Sequence, residues 1–549
     1  MLNKTPNYDA DVLVVGSGPI GATYARKLVE KNLRVLMVEA GAQESAIPGD
    51  HKKNAIVYQK DLDSFDHVIK GSLHLTSVPT DSNLAQNRSP ISWSTANQVV
   101  NGQNPKDDEV TNFPAHAVSR NVGGMSILWT CATPEQHPKL ERSKIFSPAE
   151  WDRLYKEAKK RIGTKTNVLE DSIRQQLILD VLGDHFQHRH PAPLPLAARR
   201  NDKNKDLIIW SSASTILGDI AEKGTGGNPL FTLWSQHVCE KLQINEVSGE
   251  VAHAEVKNLA TDELKIIRAK KYVICGGAVL TPQLLHASGF RSERTATDES
   301  ECFRLPALGH YLTEHSMCFC QVVLKKTLVD RVKTDPRYGW KEKMAKHRKK
   351  FGEDSLSLPF DDPDPQITIP VHDLHPWHIQ IHRDVFAHGA VPPAIDKRTI
   401  VDLRFFGLME PRESNYVTFD KDIKDAYGMP QPTFHFKLSD EDRKISHDMM
   451  RDMQDVAAVL GGYLPGSEPR FLPPGAAIHT CGTTRAGKKK DDSCCDEFSR
   501  VWGMKNLYVG GLNVIPGATA SNPTLTAMCF AIKGAEHIIA TTTHKSARL

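Results

Sequence analysis

The stretch Asp11-Val-Leu-Val-Val-Gly16-Ser-Gly18-Pro-Ile-Gly21 decides the fold, and Glu39 closes the next apolar run, Arg34-Val-Leu-Met-Val-Glu39. Each part has a mechanical job. Val12–Val15 has the unbroken apolar character of a parallel strand covered on both faces. Gly16 permits the tight turn out of it. Gly18 lets backbone approach a pyrophosphate, and Gly21 lets the following helix pack close to the sheet. That helix is predicted over Ala22–Asn32, with its positive N-terminal end turned toward phosphates. Glu39 then brings a carboxylate to ribose hydroxyls. A lone GxGxxG says little; here a strand, a helix and a correctly spaced acid surround it, which implies a dinucleotide site.

The chain has 549 residues, 40% hydrophobic and 25% charged, enough for two or three domains' worth of core. A formal net charge of +3 argues against a nucleic-acid or acidic-membrane partner. The basic run Lys341–Lys350 is diluted by Glu342, Glu353 and Asp354 and reads as a solvated helix face. Ten cysteines match neither a zinc pattern nor a disulfide framework, so no metal is expected. They read as reduced thiols, the Cys494–Cys495 pair included. No signal-peptide core opens the chain, and no apolar run is long enough to cross a bilayer. The expectation is an intracellular, cytoplasmic protein. The terminal Ala547-Arg548-Leu549 resembles a peroxisomal address of the Ser-Lys-Leu type, which would apply in a eukaryote.

Two further glycine turns lie far along the chain. One is Lys271-Tyr-Val-Ile-Cys-Gly276-Gly277, leading into a helix started near Pro282. The other is Asn506-Leu-Tyr-Val-Gly510-Gly511, followed by Asn522-Pro-Thr and an apolar helix over Leu525–Ile539. The predicted fold class is α/β. A Rossmann-like cofactor domain is built from discontinuous segments, 1–60, 113–140, 215–320 and 470–549. An α+β substrate domain takes 141–214 and 321–469. Gln366–Pro370, Ile400–Gly407 and Thr433–Leu438 are expected to form a mixed sheet at its floor. The polar stretch 61–112 reads as a surface excursion or the arm of a homo-oligomer, and Thr327–Pro365 as a charged appendage.

The fingerprint, Cys275–Leu285 and the terminal run Asn506–Glu536 together resemble the glucose-methanol-choline (GMC) oxidoreductases, which bind FAD. Within that family Asn121–Pro134, 362–393, 401–407 and His479–Gly487 are most similar to pyranose oxidases and the related C-glycoside oxidases. The resemblance spans nearly the whole chain. It implies that His479 is a catalytic base and Asn522 its partner. A neutral imidazole suits removal of a hydroxyl proton, because its reference pKa of about 6.5 lies near working pH. From the residues alone, His479 reads rather as a core histidine, and Asn522 before Pro523 as an N-cap.

The resemblance also assigns cofactor contacts to Gly16, Gly18, Gly21, Glu39, Gly123, Gly124, Thr130, Val238, Asn522 and Thr524. Thr130 would sit near the reactive nitrogen of the flavin, and Val238 would meet the adenine through its backbone. Well-known fungal pyranose oxidases tether FAD through a histidine just before the Trp-Thr-Cys-Ala-Thr-Pro run. Leu128 stands there in this chain, which implies noncovalent FAD. Gln380, Asp384, Phe386 and Arg404 match sugar contacts, although Asp384 and Arg404 could simply pair with one another. His388 replaces a tyrosine expected in the fungal enzymes, and Gly389 with Pro392–Pro393 would hinge the loop.

The function implied is FAD-dependent oxidation of a sugar or glycoside hydroxyl at carbon 2 or carbon 3, with dioxygen reduced to hydrogen peroxide. The departures at Leu128 and His388 point toward glycosides, C-glycosides included. Three alternatives stand beside it: a dehydrogenase passing electrons to a quinone or metal complex, a noncatalytic FAD-binding protein, and a Cys/His metal-binding regulator that the spacing does not support.

Overall fold

The structure is a computed structural model that describes residues 8–55, 59, 62–76, 106, 111–221, 227–294, 303–354, 356, 358–383, 391–425 and 427–546. Its first sheet grows from the fingerprint. The strand Tyr8–Val15 pairs in parallel with Val35–Val38 on one edge and Leu264–Ile274 on the other. Phe231–Trp234 adds to Val35–Val38, and Leu507–Val509 adds to Tyr272–Ile274, both in parallel. The antiparallel ribbon His237–Asn245 and Glu250–Asn258 continues the sheet from the first half of Leu264–Ile274. Val12, Leu13 and Val14 are completely buried, as a strand covered on both faces requires.

The first helix runs Pro19–Val29, three residues earlier than the sequence predicts, because Pro19 is accepted at its first position. The second glycine turn leads into the helix Gly277–Ala287, with Pro282 inside rather than near its start. The proline leaves the Ala278 carbonyl without its intrahelical donor. The Thr483 hydroxyl fills that gap at 2.6 Å.

The second sheet has the order Gly461–Tyr463, Ser316–Leu324, Ile400–Gly407, Trp377–His382, Gln366–Ile369 and Ala192–Pro193. Every pairing in it is antiparallel, so the expected mixed sheet is corrected. Its central strands are buried on both faces, and burial on both faces carries no strand direction. Thr433–Leu438 does not join it: Pro430–His435 forms a separate hairpin with Tyr416–Lys424. The strand Ser316–Leu324 crosses the expected boundary at residue 320 and lies wholly in this sheet.

Alternation with period two sorts the second sheet into two faces. Cys318, Cys320, Ile379, Ile381, Leu403 and Phe405 pack in one core with Met449, Met453 and Val456 of the helix Asp440–Leu460. That helix opens with a capping box between Ser439 and Asp442. The opposite face presents Met317, Phe319, Gln380, Arg404 and Phe406 to a cavity. The register sets Phe319 and Gln380 on either side of Arg404, and Met317 beside Phe406. A one-residue slip would exchange the two faces and remove these side chains from the cavity.

Only part of the stretch 61–112 lies within the described residues. Its helix Leu62–Ser72 packs Phe65 and Ile69 onto Ile127 and Leu128, so this portion covers the cavity rather than leaving the surface. The helix Trp340–Phe351 carries the basic run outward and buries Met344 and His347. Nine cysteines, all buried, are free thiols among the described residues. No helix among the described residues is long and apolar enough to cross a membrane. Ala547-Arg548-Leu549 lies outside the described residues.

Candidate active site

One cavity of about 560 Å³ runs from the carboxyl ends of the parallel strands to the inner face of the second sheet. Such a crevice is where open α/β sheets take ligands. Val15, Gly16, Gly18, Val38 and Glu39 line one end, with Val238 beside them. Gly124, Leu128 and Thr130 line the cavity as well. Gln380, Arg404, His479, Asn522 and Thr524 line the other end.

The glycine turn is built as its mechanics require. Gly16 has φ 101°, and a Cβ there would stand 2.4 Å from the Cys275 carbonyl oxygen. A Cβ on Gly21 would stand 2.0 Å from the Gly16 oxygen, so Gly21 acts behind the cavity by letting helix meet strand. A Cβ on Gly18 would meet nothing within 4 Å, because that residue opens onto the cavity. Gly123, at φ 100°, also lies behind the wall, and its N–H donates to the Ser17 hydroxyl at 2.9 Å.

Glu39 accepts three hydrogen bonds. It accepts from the Ser17 N–H at 3.0 Å, the Ser17 hydroxyl at 2.7 Å and the Gly41 N–H at 3.0 Å. Burial pushes its pKa up, and these donors oppose the shift. Ser17 thus ties the acid to the Gly123 turn. Sequence reading missed it, since a serine between fingerprint glycines carries no signal of its own.

At the far end His479, Asn522 and Gln380 form a chain. The Gln380 amide donates to Asn522 Oδ1. That leaves the Asn522 Nδ2 group facing His479 Nε2 at 3.2 Å. An amide donor there marks Nε2 as the unprotonated ring nitrogen. Asn522 does not cap the helix Thr524–Ser546; the Pro523 carbonyl accepts the first helical bond from Ala527. Burial, with His315 and His378 nearby, pushes the His479 pKa well below its ordinary value. The imidazole is therefore neutral and able to accept a proton. His315 meets it edge-on at 4.9 Å between ring centres, and Phe406 lies at 5.5 Å.

Arg404 reaches Asp402 Oδ2 at 3.8 Å, while Gln321 and Arg383 share Asp402 Oδ1 at 2.8 and 3.5 Å. Asp402 is a carboxylate partner the sequence reading did not name. Asp384, Phe386, His388 and Gly389 lie outside the described residues.

The buried histidines have a measurable consequence. Burial lowers His116, His286 and His315 to about 4 and His378 to about 3, from an ordinary 6.5. The unfolded chain takes up these protons near its ordinary pKa, whereas the fold resists them until much lower pH. Below pH 6.5 the unfolded state binds more protons, so stability falls as pH drops toward about 4. Thermal unfolding followed across that window should show a steep decline in Tm on acidification. A flat profile would contradict the assigned neutrality.

The family described as GMC oxidoreductase matches at residues 199–317 with its N-terminal part and at 411–531 with its C-terminal part. A pyranose 2-oxidase of Emericella nidulans is 54% identical, covering 96% of this chain and 92% of that protein. A C-glycoside 3-oxidase of Microbacterium trichothecenolyticum is 31% identical, covering 96% of each. Among solved structures, formate oxidase of Aspergillus oryzae superimposes with a TM-score of 0.64 at 16% identity, covering 98% of this chain and all of that one. Pyridoxine 4-oxidase from Mesorbium loti gives a TM-score of 0.57 at 15% identity, over 96% and 99% of the two chains; at such identities the likeness is one of fold. The chain belongs to the GMC oxidoreductase family.

Proposed function

We propose that this enzyme oxidises a ring secondary hydroxyl of a pyranose, at carbon 2, using noncovalently bound FAD and passing the electrons to dioxygen to give hydrogen peroxide. The observation that carries the reading is His479 Nε2 held as an acceptor on the cavity wall by Asn522, itself fixed by Gln380. Pyranose 2-oxidases at 54% and 44% identity, each covering nearly the whole chain, support the substrate class and the carbon. The C-glycoside 3-oxidase at 31% supports a second reading, oxidation at carbon 3 of a glycoside.

The residues present fit FAD. The open face of Gly18 and the turn at Gly16 would take the pyrophosphate, with the helix N-terminus Pro19–Val29 behind it. Glu39 and Val238 would serve the adenosine end, and Gly124, Thr130, Asn522 and Thr524 the ring end. When bound, FAD supplies the two-electron acceptor that the protein's own side chains lack.

The chain's residues then do the rest. Gln380 and Arg404 lie opposite one another on adjacent strands and can hold vicinal hydroxyls. Asp384 and Phe386 would complete the sugar contacts. His479 accepts the hydroxyl proton at Nε2 while Asn522 keeps the oxygen in line. Phe406 and the apolar cavity wall exclude water from the reacting carbon.

The test is a screen of pyranoses and glycosides followed by anaerobic flavin bleaching and by peroxide production, with the product assigned by NMR. The expected result is bleaching, peroxide and a 2-ketosugar. A 3-keto product favours the second reading. Bleaching without peroxide but with benzoquinone reduction would make the enzyme a dehydrogenase. Bleaching by no carbohydrate would overturn the reading.

Leu128 bears directly on attachment. It is buried on the cavity wall against Phe65 and Ile69 and offers no nucleophile. Acid precipitation of the yellow protein should therefore leave the flavin in the supernatant. Flavin that sediments with the protein would contradict noncovalent binding.

A further inference from the structure

Beside the imidazole lies a carboxyl to which the proton-transfer reading gives no part. Glu314 is completely buried just before the strand Ser316–Leu324. Both of its oxygens accept from the His479 backbone N–H, at 3.2 Å each. It also accepts from the Thr480 hydroxyl at 3.1 Å and the His315 N–H at 3.0 Å. The grip falls on a bent piece of chain. Ile478 holds φ 56°, a left-handed conformation that a β-branched residue avoids. Its N–H is tied back to the Gly475 carbonyl at 3.2 Å. Such a turn persists only where its surroundings over-determine it. A Glu314 oxygen, a ring nitrogen of His315 and one of His479 all lie within 4.8 Å of one another.

We propose that Glu314 is the positioning residue of this site: it clamps the 478–480 turn that aims His479 at Asn522, and in its ionised form it balances the charge that appears when the imidazole takes the substrate proton. The inference rests on His479 being the base. In that step the substrate O–H bond breaks and an N–H bond forms at His479. The hydrogen on the carbinol carbon leaves with two electrons to FAD, and Glu314 makes or breaks no covalent bond. A positive charge thus arises in a water-poor site, where a nearby carboxylate attracts it far more strongly than in water.

The titratable groups facing Glu314 are His315 on its own segment and His479 and the Cys481 thiol on the facing one. Burial pushes the carboxyl up to about 7, against the donors it accepts from. Its ionisation therefore falls inside the range of an assay, while that of His479 falls below it.

The experiment is anaerobic flavin reduction from pH 5 to 9, with the pyranose that bleaches the flavin in the screen above. In the natural protein the rate constant should rise through a limb near pH 7. Glu314→Gln should remove that limb and lower the plateau by roughly ten- to a hundredfold, the scale on which a misplaced catalytic group acts. A readout independent of turnover is thermal unfolding against pH. A carboxyl whose folded pKa is raised contributes stability at low pH that is lost as pH rises through about 7. The natural protein should lose stability relative to Glu314→Gln over that rise. If Glu314→Gln does not fold, Thr480→Val removes one donor to the carboxylate and should move the limb to higher pH. A Glu314→Gln enzyme with the natural rate and profile, or a limb unmoved in Thr480→Val, overturns the proposal. If His479→Ala is inactive while Glu314→Gln behaves as the natural protein, this inference fails alone. If His479→Ala still bleaches, the reading of the site fails with it.

Discussion

The His479→Ala variant is expected to stay yellow and to lose sugar-dependent flavin reduction by roughly a hundred- to ten-thousandfold, the range that a positioned base contributes. That loss equals about 3–5 kcal/mol of barrier. The argument is geometric before it is electrostatic. Nε2 faces an amide donor at 3.2 Å, its pKa is driven down by burial, and it opens on the cavity. Gly16, Gly18 and Glu39 line that cavity from the side of the first sheet, so cofactor content should hardly change. Rapid anaerobic mixing with sugar separates the two quantities, because flavin absorbance reports loading and bleaching reports chemistry. The rival view of a noncatalytic flavoprotein predicts no change in any measured activity. A variant that bleaches at the natural rate would remove His479 from the mechanism.

The second large effect belongs to Gly21→Val. A Cβ at this position would stand 2.0 Å from the Gly16 oxygen and 3.4 Å from Val14 Cγ1. The obstacle is backbone, which does not swing aside as a long side chain does. The helix Pro19–Val29 must lift from the strand Tyr8–Val15, and overpacking of this kind costs about 1–3 kcal/mol. Lifting the helix also withdraws its N-terminal N–H groups from the pyrophosphate position. The expected product is colourless, less stable protein that takes up no added FAD. Gly183→Ala is the matched control. It lies inside the helix Ile173–Phe186, where a Cβ meets nothing within 4 Å, and the change should stabilise by about 1 kcal/mol. Normal flavin content in Gly21→Val would refute the close-packing account.

How much of the site was legible depends on sequence distance. Gly16, Gly18, Gly21 and Glu39 lie in one short strand–turn–helix–strand run, and each has a local mechanical reason for its identity. His479, Asn522, Gln380 and Arg404 had no such local reason and were reached through resemblance. Glu314, Ser17 and Asp402 escaped both routes. A buried acid before a strand looks like any acid until the chain that folds against it is known. Glu314 acts on residues 165 and 166 positions away, His479 and Thr480.

The amino-acid sequence by itself determined the parallel nucleotide-type sheet and its glycine turn, because strand, turn, helix and acid are adjacent along the chain and each constrains the next. Only the tertiary structure decided that the second sheet is antiparallel. A strand buried on both faces, such as Trp377–His382 or Ile400–Gly407, says nothing of its direction or its neighbours. The register of that sheet then chose which alternate side chains, Gln380 and Arg404 among them, line the cavity with His479. Asn522 meets His479 across 43 positions and Gln380 across 142, distances over which no local pattern specifies a contact.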